Sequence, residues 1–226
     1  ASQLAALYER ARPPVVLVDY ADETSMREAA AGCSAVVHLV GIIKEGANTS
    51  YRAAHEESCG VLARAAAAAG VRRIVYLSIV GSRPDSDNAC LASKGRAEQL
   101  LLEGPVPATV LRVPMVLCRG DYATAALRRE ATATSTRLVG GGRTLQQPID
   151  ARDVVDAVLA AAADESADSV ALDLGGPECL AHRDLVTRAA RVLGRPAPRI
   201  RSLPLGLARA GAATPRTWPV SASTPD

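Results

Sequence analysis

Four short apolar runs, separated by stretches of helical character, constrain this chain more than anything else in it. The runs are Pro13–Asp19 (PPVVLVD), Ser34–Gly41 (SAVVHLVG), Arg73–Ser78 (RIVYLS) and Ala108–Val113 (ATVLRV). They are rich in Val, Leu and Ile and continuous rather than alternating, the pattern of strands buried on both faces. Between them lie Asp22–Ala31, Ala-rich Tyr51–Ala69, and a stretch from near Asn88 that ends before Gly104-Pro105. Asp22 or Thr24 is a suitable cap for the first helix, and Gly32 and Gly70 are suitable stops. Such alternation predicts a parallel sheet with helices on both faces and right-handed crossovers.

The supply of side chains agrees. The chain has 226 residues, 48% hydrophobic and 22% charged, with no Phe, five Tyr and one Trp. A core without large aromatics is expected to be Ala-rich helices packed closely on a Val/Leu sheet. The net charge of +2 is mild and no basic run occurs, so nucleic acid is not an expected partner. Five scattered cysteines form no CxxC pair, and three histidines are too dispersed for a ligand cluster; no metal site is expected. Free thiols in a reducing cytoplasm are the expectation. No apolar run approaches the roughly 18 residues of a membrane span, and no signal peptide is visible.

After Pro114 the pattern changes. Asp121–Thr134 is expected to be helical, and Leu138–Gln147, with Gly140-Gly141-Gly142, to be a loop or hairpin. Asp150–Asp164 is an amphipathic helix, with Asp150 and Asp153 placed to complement its dipole. Ser169–Leu174 reads as a strand, His182–Leu193 as a helix and Arg199–Pro204 as a short strand. Ala1–Arg12 suggests a helix end or loop, Leu205–Ala213 a weak helix and Thr214–Asp226 a loose tail. The expected organisation is a core over residues 1–118, rejoined by 148–176, with a small C-terminal lobe from 119–147 and 177–226.

Ligands of parallel α/β sheets bind beyond the carboxyl ends of the strands. Asp19, Gly41, Ser78 and Pro114 all fall on that edge. The stretch RRIVYLSIVGSRPDSDNACLASKGRAEQLL adds Lys94, on the helix that follows Ser78. Cys90 precedes Lys94 by four residues, so both share one helical face.

These segments together resemble the extended and atypical short-chain dehydrogenase/reductase superfamily. They are VDYAD (18–22), AVVHLVG (35–41), AAAAAGVRRIVYLSIVG (65–81), SKGRAEQLL (93–101), TVLRVPMVL (109–117), PIDARDVVDAV (148–158) and LDLGGPE (172–178). The subgroup they look most like includes the nucleotide-binding accessory subunit of respiratory complex I and NAD-dependent epimerase/dehydratase-like proteins. The resemblance implies a Rossmann-like fold that binds NAD or NADP, and a small-molecule substrate of unknown identity. Association with a respiratory complex would be peripheral.

Residue by residue, it implies that Asp19, with Tyr20, meets the adenine ring. Leu39, Val40 and Gly41 would run under the cofactor, and Val113 and Pro114 would line its nicotinamide end. Ser78 would face the substrate carbonyl and Lys94 the nicotinamide ribose. Plainer readings stand beside these: a strand-end cap for Asp19, a turn for Gly41, a strand stop for Pro114, a core histidine at His38 and a structural one at His55. Two departures matter. The family's opening strand and glycine-rich turn are missing, since neither GxGxxG nor GxxGxxG occurs, so the chain reads as a fragment. The Tyr of Tyr-x-x-x-Lys is Cys90, a thiol too short to replace a phenol. The expectation is a cofactor-binding protein that is catalytically weak or atypical. An active oxidoreductase or epimerase on a sugar-nucleotide or isoprenoid-like substrate, and a non-catalytic interaction domain, are the alternatives.

Overall fold

The structure, a computed structural model, describes residues 14–204 and Gly206. The readings for Ala1–Arg12, Leu205–Ala213 and the tail fall outside the described residues, apart from that glycine. The chain divides into two compact units. Unit 1 is residues 1–113 and 152–174, and unit 2 is residues 114–151 and 175–226.

In chain order the elements begin with α1 (Glu23–Ala30) and β1 (Ala35–His38). A π-helical turn, Arg52–Glu57, runs into α2 (Ser58–Ala68), followed by β2 (Arg73–Ile79), α3 (Ala89–Leu102) and β3 (Ala108–Val113). Then come β4 (Val116–Leu117), α4 (Tyr122–Thr132), β5 (Ser135–Val139), a 3-10 turn at Gly140–Gly142, β6 (Leu145–Gln146) and β7 (Ile149–Asp150). The chain continues with α5 (Ala151–Ala163), β8 (Val170–Asp173), β9 (Leu180–Ala181), α6 (His182–Val192) and β10 (Arg199–Leu203).

Unit 1 is a Rossmann-like α/β layer structure. Its four-stranded sheet has the order β1-β2-β3-β8, all parallel. The core lies between this sheet and the small faces of α2 and α3: Leu62, Ala66, Ile74, Ala97, Leu101 and Val110 are all buried. Local chemistry starts the helices. Asp22 accepts from the backbone N–H groups of Thr24 and Ser25, and Asn88 from those of Cys90 and Leu91.

Two expectations are corrected. The buried strand expected over Pro13–Asp19 is not formed by its described residues. Over residues 14–19 no ladder forms, and Val15, Val16 and Leu17 are 70%, 66% and 96% exposed. An apolar run becomes a buried strand only when another strand pairs with it, and no described strand hydrogen-bonds to this one. The second concerns the glycine-rich region. It is entered by a strand rather than by a hairpin, because β5 pairs in parallel with β10. Unit 2 also holds the parallel pair β4–β7 and the antiparallel pair β6–β9. Its core is Leu127, Leu138, Leu185 and Val186. No described helix is long and apolar enough to cross a membrane.

Arg73 opens β2 and is 1% exposed. Its guanidinium donates to the carbonyls of Asp164, Ser166 and Asp168, and to the Thr109 and Ser166 hydroxyls. It thereby ties the α5–β8 connection to the start of the sheet. Asp164 stands in solvent, so its ion pair with Arg73 adds little; the hydrogen bonds and the packed methylenes dominate. Arg73→Ala should lower stability by roughly 2–4 kcal/mol, read as a lower urea midpoint at unchanged m-value.

Candidate functional site

The carboxyl ends of β1, β2 and β3 gather most of the residues singled out in the sequence. Asp19, Tyr20, Val40, Ile42 and Ser58 are among those lining a cavity of about 320 Å³. The Asp19 carboxylate accepts from the backbone N–H of Ala21 at 2.9 Å, which shapes the turn before α1. Leu39 is 65% exposed and lies outside that lining.

Lys94 is carried by α3 and is 6% exposed. Its Nζ donates to the Leu77 carbonyl at 3.0 Å and stands 4.4 Å above the Tyr76 ring. Among the described residues no carboxylate pairs with it. Burial pulls its pKa below the ordinary lysine value, against the opposing pull of Cys59, Cys90 and Glu98. Gly41 faces it directly: a Cβ at 41 would lie 3.1 Å from Lys94 Nζ and 3.4 Å from His55 Nε2. A side chain at 41 would press on the ammonium, which would have to give by a few tenths of an ångström.

His55 is fully buried in the π-helical turn, a type of turn frequent at functional sites. Its Nε2 accepts the Ile42 N–H at 3.1 Å. The ring proton therefore sits on Nδ1, which is buried without a partner. Burial and then Lys94 lower its pKa, so it is neutral near pH 7. Tyr51 stacks on His55, with centroids 5.7 Å apart, and donates its phenol proton to the Ile43 carbonyl.

Cys90 lies one turn before Lys94 and is 9% exposed. Its thiol points to the Ile42 carbonyl at 3.7 Å. Burial raises its pKa and Lys94 only partly offsets that, so the thiol keeps its proton at neutral pH. Thus Gly41, Ile42, His55, Cys90 and Lys94 converge on one short segment after β1.

Ser78 goes elsewhere. It is 1% exposed and donates to Glu98, with Ser82 3.3 Å away. Glu98 is 2% exposed and is gripped by Arg112 at 2.6 and 2.9 Å, with Arg112 reaching Asp173 at 3.5 Å. Ser93 similarly donates to Glu56, which pairs with Arg96 and ties α3 to the π-helical turn. Val113 closes β3, is 7% exposed and accepts from the Val80 N–H; Pro114 is the first residue of unit 2. Sequence reasoning missed Glu98 and Tyr76. Their signals were present: Glu98 follows Lys94 by four residues, and Tyr76 precedes Ser78 by two on the same strand face.

His38 also belongs to this centre. It pairs in register with Tyr76, stacks on it, and has Ser58 Oγ 3.5 Å from Nε2. Burial first, then Lys94 and His55, hold its pKa down to about 4 against 6.5 for a free histidine. Between those values the unfolded chain binds the extra proton, so stability falls as pH drops through this window. The full effect is on the order of 3 kcal/mol. Urea midpoints measured from pH 4 to 7 should rise steeply for the wild type and less steeply for His38→Gln.

The profile of the NAD(P)H-binding family matches residues 1–165. The chain is 29% identical over 206 residues to NADH dehydrogenase [ubiquinone] 1 alpha subcomplex subunit 9, mitochondrial, of Arabidopsis thaliana, covering 90% of this chain and 51% of the relative. It is 32% identical over 136 residues to (4-alkanoyl-5-oxo-2,5-dihydrofuran-3-yl)methyl phosphate reductase of Streptomyces griseus, covering 60% and 47%. The chain thus spans about half the length of the curated relatives it matches. Its fold is similar to that of dTDP-glucose 4,6-dehydratase from Streptomyces venezuelae, solved with NAD and TYD bound. The TM-score is 0.74 at 18% identity, covering 90% of this chain and 70% of that one.

Proposed function

The chain belongs to the NAD(P)H-binding family, of the short-chain dehydrogenase/reductase type, and from that premise we propose that unit 1 binds NADH or NADPH along the carboxyl edge of its sheet and is a weak or atypical catalyst. The observation that carries this reading is the buried Lys94 ammonium facing side-chain-free Gly41, one turn from a thiol already engaged by backbone. Two features fit a nucleotide there: the cradle that a Cβ at 41 would fill, and the orphaned Nδ1–H of His55.

In this reading Asp19, Tyr20 and Val40 face the adenine end. Gly41 lets the backbone pass under the cofactor, Lys94 donates to the nicotinamide ribose, and Leu39, Val113 and Pro114 flank it. The bound cofactor supplies a hydride, and the reaction also needs a proton delivered to the substrate oxygen. Cys90 stands where that donor would be. Its side chain is short, its pKa is raised and its proton is directed at Ile42. The Ser78 hydroxyl is committed to Glu98. Five unpaired thiols support a reducing compartment, the cytoplasm being the one expected.

A second reading, an active reductase or epimerase with another proton source, draws support from the Streptomyces griseus relative, named as a reductase. A third, a subunit-like interaction domain, draws support from the Arabidopsis thaliana relative, named as a subunit of NADH dehydrogenase. Efficient turnover would separate the first two, and Cys90→Ala then tests the thiol itself: unchanged turnover removes Cys90 from the chemistry.

NADPH titration should give a saturable quench of its fluorescence, and Lys94→Met should weaken it by about tenfold or more, as loss of charged hydrogen bonds does. Because burial lowers the Lys94 pKa, wild-type affinity should fall on the alkaline side at a pH below the ordinary lysine range, and Lys94→Met should lack that limb. Absence of any saturable quench with either NADH or NADPH would sink the reading.

A further inference from the structure

The mild net charge of +2 conceals an opposition between the two units. Unit 2 contains thirteen arginines, no lysine and six acidic residues, a net of +7; unit 1 carries −5. The cations of unit 2 are therefore all guanidinium groups, whose planar fork matches phosphoryl oxygens.

Three of them share one sheet face. In the parallel pair β5–β10, Arg137 lies in direct register with Arg201, and Arg199 is in register with Ser135. Neighbouring strands are roughly 4.8 Å apart, and residues two apart on a strand about 6.6 Å apart. Arg137, Arg199 and Arg201 thus form a small triangle of cations. All three are exposed, whereas Thr136, Leu138 and Ile200, on the opposite face, turn inward. The other residues of the outward face are Ser135, Val139 and Leu203, none of them acidic. Among the described residues no carboxylate pairs with any of the three arginines. Like charges directly opposite one another destabilise a sheet, so an uncompensated Arg–Arg pair in register is a conflict that an anion would relieve.

A cavity of about 280 Å³ adjoins this face. Arg137 and Val139 line it together with Thr144, Gln146, Glu130 and His182. The Glu130 carboxylate is occupied by His182 Nε2 at 2.9 Å. The other ring nitrogen, His182 Nδ1, is buried without a partner. Arg137 thus brings the cationic face to a pocket of small-molecule size with a hydroxyl, an amide and an imidazole around it.

We propose that the Arg137–Arg199–Arg201 face and the cavity beside it hold the phosphoryl group of a small phosphorylated ligand. The compact triangle and the small, open cavity beside it favour a small molecule over a nucleic acid, which would need an extended basic stripe. The site lies wholly within unit 2 and does not depend on nucleotide binding by unit 1.

The probe is inorganic pyrophosphate, titrated by calorimetry into the full chain at moderate salt. The wild type should bind it saturably, and Arg137→Gln/Arg201→Gln should weaken binding by about tenfold or more. Without pyrophosphate, single Arg201→Gln should unfold at an equal or higher temperature than the wild type, because the repulsive pair is gone. The double variant should keep its NADPH affinity, whereas Lys94→Met should keep its pyrophosphate affinity. No saturable pyrophosphate heat, or heat unchanged in the double variant, overturns the proposal. So does a double variant that loses NADPH together with pyrophosphate, because the probe would then be reading the nucleotide site. Binding of heparin or single-stranded RNA without binding of pyrophosphate assigns the arginines to a polyanion surface instead and also overturns it.

Discussion

Helix α3 can lie where it does only because residue 95 has no side chain. A Cβ there would fall 2.3 Å from the carbonyl carbon and 2.5 Å from the Cα of Arg83, and 2.6 Å from the nitrogen of Pro84. Those are backbone atoms, which cannot step aside as a flexible side chain could. The contact presses α3 onto the loop after β2, and the rest of the centre follows from that position. Lys94 reaches the Leu77 carbonyl, Glu98 drops between Ser78 and Arg112, and Ser93 meets Glu56. A helix held this closely positions an ammonium in a poorly hydrated place without giving it a carboxylate.

The resulting electrostatics are economical. Glu98, nearly buried, receives two guanidinium N–H groups on one carboxylate oxygen and a hydroxyl on the other, and it opposes, through space, the effect of burial on Lys94. Tyr76 supplies only the face of its ring. The two histidines nearby are kept neutral by the same burial and by the same lysine. Burial, reinforced at the two histidines by the same cation, thus fixes their protonation state, while burial outweighs that cation at residue 90 and keeps the thiol protonated against the backbone of residue 42.

The alternation of elements was legible because a buried parallel strand must be a continuous apolar run, and the cap Asp22, offered beside Thr24, because it acts within its own turn. Pro13–Asp19 misled for the same reason: an apolar run specifies its own suitability and says nothing about a partner. β5 was hidden because STRLV mixes arginine with threonine and runs straight into glycines. Its pairing with β10 joins residues far apart in sequence. At the site, the positions of Lys94, Cys90 and Gly41 could be read from spacing. The direction of the Ser78 hydroxyl could not, since it depends on Glu98 and Arg112 arriving from another helix and another strand. The same holds for His55, whose tautomer is set by a backbone N–H thirteen residues away.

Arg73 has a consequence for the order in which the sheet forms. Its carbonyl partners lie 91 to 95 residues further along the chain, and β3 pairs with β8 across the whole first segment of unit 2. During synthesis β1, β2 and β3 emerge together, while a cation that ends up almost fully enclosed waits, hydrated, for the α5–β8 connection. Early enclosure would strand that charge, so the amino end of β2 must stay open until residue 168 is available. The distant closure makes β8 a late arrival, and folding of this layer should carry the slow signature of high contact order.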